Sequence, residues 1–390
     1  MTATDADVVV VGLGALGSAT AWQLARRGVS VVGLERFELG HVRGASHGDS
    51  RIIRLSYHTP DYVRNAREAY ADWADLEAAT GTSLLLRVGG VDVYPVGAAI
   101  DPADYLAAMD AEGVPYQLLD AGQSRQRWPA LAVPDGALVV FQEQTGIAPA
   151  DAGTAAMRGQ AVAHGARLRP GCRVRELTDL GDAIRLRLDD GSALTAGRAV
   201  VTADAWTNQV LAGIDHRLPL TVTQEHVIHY DVAGERAPAH GAGSFPVWIW
   251  MDDPSYYGFP CFGEPTVKVG QDCGGDPVDP DTRTFDPEPG YVDRMTGFVR
   301  QAVPAAGAIS RVTTCLYTLP PDRDFVAGLV PGHPRVAVGL GAAHGFKFAP
   351  WFGRVLADLA TLGRSNSQLQ PFALDRPGLT DPDAAVSWLV

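Results

Sequence analysis

The chain opens on an apolar run, Val8-Val9-Val10-Val11, too short for a helix and without the alternation of a half-exposed strand. That pattern predicts a strand buried on both faces. Gly12, Gly14 and Gly17 follow, then a helix-compatible run over 18–27, then a second apolar strand over 29–34 that ends on Glu35. Apolar positions at helical spacing (Val63, Ala66, Tyr70, Trp73, Leu76) predict a helix over 61–80 with Gly81 as its cap. Short strands at 84–88 and 91–94, a helix at 101–112, a loop at 129–136 and a helix at 150–165 come next. A strand at 167–169 leads to a hairpin, 183–188 and 192–194, turned by Asp189-Asp190-Gly191, and a separate buried strand spans 198–202. From Leu218 to Val269 the pattern becomes aromatic and strand-rich, with strands at 222–230, 247–251, 256–259 and 266–269. A helix at 287–302 follows, and a strand at 336–339 with a helix at 350–362 repeats the αβ pattern of the start.

Strand, GxGxxG, helix, strand and acid, in that order, match a dinucleotide-binding unit. Gly12 permits the tight turn, Gly14 the approach of a pyrophosphate, and Gly17 close packing of helix on strand. The helix N-terminus offers free N–H groups to the phosphates, and Glu35 is placed for the ribose hydroxyls. A glycine-rich turn in some other α/β sheet is the plain alternative. The fold class is therefore α/β, a Rossmann-like dinucleotide-binding domain with an inserted β-rich substrate domain. The first is expected from residues 1–85, 150–222 and 310–390, and the second from 86–149 and 223–309. One contiguous cofactor domain followed by one catalytic domain is the other arrangement.

Composition narrows the classes of function. The 390 residues are 46% hydrophobic and 20% charged, as in ordinary globular proteins, and suffice for two cores. A formal net charge of −13, with no dense basic cluster, argues against nucleic acid. No apolar stretch reaches membrane-spanning length, and residues 1–7 lack the basic region of a signal peptide. Cys172, Cys261, Cys273 and Cys315 form neither a disulfide scaffold nor a metal-ligand spacing, so no metal and a reducing cytoplasm are expected.

Several positions carry candidate chemistry. Arg51 and Arg54 follow a flexible turn near the expected cofactor, where a guanidinium fork suits a carboxylate; in an arbitrary loop they would be solvated charges. Lys268, between Val267 and Val269, reads as an exposed strand position. Asp272 lies on its face at roughly 13 Å if the strand is regular, and both could border one pocket. Cys315 in an apolar run reads by composition as a core thiol. His344-Gly345-Phe346-Lys347, after a strand and Gly341, would bend round a cofactor ring and present a cation. Trp248 and Trp250 share a strand face, as a pocket wall or as core.

Taken together, the fingerprint Gly12 to Gly17, the Ser46-His47-Gly48-Asp49-Ser50-Arg51 loop with Arg54, Lys268, Cys315-Leu316-Tyr317-Thr318 and His344-Gly345-Phe346-Lys347 resemble the monomeric sarcosine oxidase and N-methyltryptophan oxidase family of D-amino-acid-oxidase-like flavoproteins. The likeness runs from Asp7 to about Leu379. It implies FAD, joined by a thioether from Cys315 to the flavin 8α-methyl. FAD contacts are implied at Gly12, Gly14, Ala15, Leu16 and Gly17, at Glu35 and Arg36, and at Ser46, His47, Ser50 and Arg51. Val174, Gly341, Gly345, Phe346 and Lys347 complete that set. Arg54 and Lys347 would hold a substrate carboxylate, Tyr257 and Tyr317 would line the pocket, and Lys268, Arg51 and Asp272 are the expected catalytic positions.

The sequence departs from the family pattern at Asp272, where histidine is usual, at Ala343, where glycine is common, and at Asp204-Ala205-Trp206, in place of Gly-Ala-Trp. What the resemblance implies is oxidation of a carboxylate-bearing secondary amine, N-methyl or cyclic, to an imine, with O₂ reduced to H₂O₂. The partners are then a small amine and O₂, acting on a monomer. Oxidation or desaturation of a cyclic imine or imino acid is the neighbouring alternative. A nicotinamide-dependent dehydrogenase is the rival from another class; it explains Gly12 to Glu35 but gives Cys315 and Lys268 no purpose.

Overall fold

The strand Ala6–Val11 lies parallel to Val31–Leu34 on one side and to Ala193–Val201 on the other, its apolar run covered on both faces. A computed structural model describes residues 3–232, 234–384, 386 and 387, leaving the outermost residues of the expected first domain outside the description. Among the described residues this sheet has eight strands. Its path runs Val174–Asp179, Ile184–Leu188, Ala193–Val201, Ala6–Val11, Val31–Leu34 and Arg167–Arg169, with His333–Leu340 parallel beside Ala193–Val201 and Val326–Val330 beyond.

Residues 192–194 and 198–202, expected as two strands, are one, Ala193–Val201. Its first half pairs antiparallel with Ile184–Leu188 at the sheet margin and alternates in burial. Its last three residues, 199–201, are sandwiched between parallel strands and buried, so the apolar pattern changes within one element.

The helix Ala15–Ala25 is buried along almost its whole length. Gly12 adopts φ +91°, and a Cβ on Gly17 would lie 1.8 Å from the Gly12 carbonyl oxygen, so strand and helix approach at backbone distance. The helix Ala349–Leu362 packs across it, with a Cβ on Gly353 falling 2.6–2.7 Å from Ala19. The helix expected at 61–80 is Pro60–Thr80, begun by the Thr59 hydroxyl, which accepts from Tyr62 N, and closed by left-handed Gly81.

A second sheet of nine strands packs beside the first. Its order is Asp276–Pro277, Thr221–Asp231, Thr266–Gln271, Tyr256–Phe259, Val247–Trp250, Gly90–Tyr94, Leu138–Gln142 and Gln117–Asp120. Ile309–Leu319 pairs along Thr221–Asp231, which sets Cys315 opposite Glu225 and carries this strand across the boundary expected at 310. Arg51–Ile53, Gly146–Ala148 and Leu86–Arg87 form a small third sheet between the two. Trp248 is core: it lies fully buried with Trp250 on the face covered by helix Pro289–Ala302, both near Phe298, and Ile249 points the other way. No helix among the described residues is long and apolar enough to cross a membrane.

The Gly353 contact gives a test of the packing. Gly353→Ala should force the two helices apart and lower the unfolding free energy by about 1–3 kcal/mol, measured by denaturant unfolding.

Candidate active site

Two cavities, with about 1420 and 1270 Å³ of empty space, meet at a throat shared by Gly14, Ala45, Ser46, Thr202 and Asp204. The second cavity extends over Gly12, Leu13, Glu35, Arg36 and Val174 at the carboxyl ends of the parallel strands. There the glycine loop is supported from a distance: Ser46 Oγ accepts a hydrogen bond from Ala15 N at 3.0 Å, serving the helix end that Gly14 cannot cap itself. Glu35 Oε2 accepts from Leu13 N at 2.8 Å, and its Oε1 from Phe37 N at 3.0 Å. Burial raises the Glu35 pKa, but these bonds and the His41 ring outweigh it, so the carboxylate is held below its ordinary range. Arg36 is spent on Asp281 at 2.6 Å and on the faces of Phe37 and Trp206. Gly17 lines neither cavity; its place is the strand–helix contact.

The first cavity gathers Ala15, Leu16, Arg51, Arg54, Tyr257, Lys268, Asp272, Cys315, Tyr317, Gly341, Gly345, Phe346 and Lys347. Lys268 is not on an exposed face: it is 7% exposed, and its Nζ donates to Ser50 O at 2.6 Å and Ser50 Oγ at 3.0 Å. Burial, then the Arg51 charge, push its pKa well below the ordinary lysine value. Arg51 donates to the carbonyls of Ala45, His47 and Ser50, which folds the 45–51 loop around the guanidinium. Ser50 and His47 therefore stand behind the wall, one holding Lys268 and the other Arg51, and neither lines a cavity. His47 stays neutral, its pKa lowered to about 4 by burial and by Arg51.

Arg54 is buried, 3.6 Å from Asp92 and 4.9 Å over the Tyr57 ring, and its Nη1 has no hydrogen-bond partner. Lys347 donates to His344 O at 3.0 Å, and burial with the Arg54 charge lowers its pKa strongly. Burial pushes the Cys315 thiol up to about 11 and keeps the Tyr257 and Tyr317 hydroxyls protonated. Tyr257 lies over Gly270, where a Cβ would come 2.5 Å from its ring.

Asp272 faces the cavity, with both oxygens 2.7 Å from Arg323 Nη2. Arg323 and Asp92 are site residues that sequence reasoning missed. Arg323 comes from a loop-like Pro320-Pro321-Asp322-Arg323-Asp324 run, and nothing in that run says it points inward. Asp92 sits in a strand where alternation alone could not distinguish an inward carboxylate. Ala343 has φ +71° and Asp204 has φ +47°, so two positions where the family pattern has glycine are left-handed here as well.

The site fits an elongated dinucleotide carrying a flat ring: a helix N-terminus at one end, an acid beyond it, and at the other an apolar slot with a buried guanidinium whose Nη1 makes no hydrogen bond. Fold and site together define a dinucleotide-binding protein built on two sheets. Residues 7–359 match the family model described as FAD dependent oxidoreductase. The chain is 31% identical over 382 residues to monomeric sarcosine oxidase of a Bacillus species, covering 96% of this chain and 98% of that protein. It is 28% identical to N-methyl-L-tryptophan oxidase of Yersinia pestis, covering 95% and 99% of the two chains. The solved structure of NikD, an unusual amino acid oxidase essential for nikkomycin biosynthesis, superposes with a TM-score of 0.84 at 29% identity, covering 95% of this chain and 98% of that one. The chain belongs to the FAD dependent oxidoreductase family and uses FAD, which sets the nicotinamide reading aside.

A pH test follows from His47. Its folded pKa is depressed, so the stability gained from the neutral ring is full above about 6.5 and is lost as pH falls through about 4. Unfolding free energy should drop over that window, and His47→Gln should make the drop shallower in parallel denaturation series.

Proposed function

We propose that the protein is an FAD-dependent oxidase of a secondary amine that bears a carboxylate, an N-methyl or cyclic amino acid. The observation that carries this reading is the pair of buried cations, Arg54 and Lys347, on the wall that also bears Lys268 and Cys315. A buried guanidinium with an unused N–H and a depressed ammonium both gain from an anionic guest. The carboxylate is the part of the substrate that supplies it.

When bound, FAD supplies the two-electron acceptor for the C–N bond and passes the electrons on to O₂, giving H₂O₂. The chain supplies position and field. Arg54 and Lys347 fix the carboxylate, which orients the amine carbon within the slot bounded by Tyr257, Tyr317 and Phe346. The surrounding cations disfavour a protonated amine and so favour its reactive neutral form. Lys268, anchored by Ser50, stands where negative charge develops as O₂ is reduced. Cys315 would be the attachment point of the flavin 8α-methyl, and Arg51 fixes the 45–51 loop that borders the same cavity. The same reading expects a monomer in a reducing cytoplasm.

A second reading is favoured by the Asp272–Arg323 pair in the wall where the family pattern has histidine. A matched ion pair there suits a cyclic imine or imino acid with a polar ring edge.

Peroxide release across N-methyl amino acids, proline, pipecolate and cyclic imines separates the two. Arg54→Gln or Lys347→Gln should weaken binding of the acid by roughly 1.5–3 kcal/mol and change little toward its amide; equal losses would refute the carboxylate clamp. Acid precipitation should leave flavin on the wild-type protein and release it from Cys315→Ala. Flavin wholly in the wild-type supernatant would exclude the thioether. Lys268→Met should slow flavin reoxidation in stopped-flow traces by orders of magnitude while reduction changes less.

A further inference from the structure

Asp204 occupies the throat between the two cavities and lines both of them. Its backbone is left-handed, φ +47°, a conformation that costs an L-residue roughly 1–2 kcal/mol and that glycine adopts freely. Asp and Asn tolerate that region better than most side chains, yet glycine would relieve the strain altogether. The residue is half-buried, and desolvation at the throat pushes its carboxylate pKa up to about 6. Among the described residues no cation is within ion-pairing distance of it, and the groups that act on it are neutral. Strain and desolvation thus fall on one side chain at the point where the cofactor must pass.

The two ends of the throat differ in chemistry. On one wall, the N-terminus of helix Ala15–Ala25 and the Ser46 hydroxyl offer donors, and they suit a diphosphate, which only accepts. Asp204, which lines the same throat, is by contrast a carboxylate that only accepts when ionised and would repel a phosphate placed against it. Between the diphosphate and the flavin ring lies the ribityl chain, whose hydroxyl groups donate. We propose that Asp204 binds the ribityl hydroxyls of FAD, and so adds a cofactor contact at a position where the family pattern has only a glycine. The proposal rests on FAD as the cofactor and not on the choice of amine or on the thioether.

The test uses the full chain carrying Cys315→Ala, so that no thioether can form, with FAD removed and titrated back by flavin fluorescence. A parallel titration uses an FAD analogue whose ribityl hydroxyls are replaced by hydrogen. Asp204→Gly should weaken FAD at least tenfold and leave the analogue unchanged. The FAD-free chain should melt no lower in this variant, because the left-handed strain is relieved. FAD bound as tightly as in the parent, or more tightly, would overturn the proposal. So would equal weakening of FAD and analogue, which would place the carboxylate elsewhere along the cofactor. Should Asp204→Gly fail to fold, Asp204→Ala titrated against the same two ligands decides by the same criteria.

Discussion

Arg51, Arg54, Lys268, Arg323 and Lys347 all line one enclosed space, and the cost of desolvating like charges together governs how the surrounding chain is built. The remedies differ. Arg51 is wrapped by three carbonyls, Arg54 faces Asp92, and Arg323 grips Asp272. The two lysines rest on carbonyl oxygens and answer the remaining field by giving up protons more readily. Coulombic repulsion in a poorly hydrated pocket is relieved further only by an anion from outside.

That arrangement needs a rigid frame, and the two sheets provide it from different directions. The parallel sheet presents the glycine turn and the acid at its carboxyl edge, where open α/β sheets bind their ligands. The second sheet brings Tyr257 and Lys268 on two adjacent strands close in sequence, and Cys315 on a strand far along the chain that lies on the other side of Thr221–Asp231. Asp272, held by Arg323, faces the same space with its charge matched, so the field it exerts is weaker than that of an isolated carboxylate.

Legibility in the sequence followed the physics of each element. Val8 to Val11, the glycines after it and Glu35 were readable because burial on both faces and the demands of a tight turn leave few residue choices. The helix at Pro60–Thr80 announced itself by spacing and by its Gly81 stop. Strand Ala193–Val201 was misread as two because its surroundings change halfway. The helix Ala121–Arg127 went unseen although Asp120 and Gln123 form a capping box, since its short run carries little apolar pattern. Local pattern also misjudges inward charges. Lys268 between two valines reads as exposed, and only the loop at Ser50, far away in sequence, makes its burial tolerable. Arg323, Asp92 and the inward turn of Ile249 are products of the same long-range assembly.

The backbone approach at Gly353 reaches beyond stability. Lys347 sits on the turn Gly345–Phe348 that runs directly into helix Ala349–Leu362, and that helix rests on Ala15–Ala25, whose first turn faces the shared throat. The two helices thus tie the helix end at the throat to the turn that carries Lys347, and a side chain that thickened this joint would shift both at once. Tyr257, Tyr317 and Asp272 line the same cavity from the second sheet and the turn after one of its strands, so that part of the lining can change in size without passing through the helix joint.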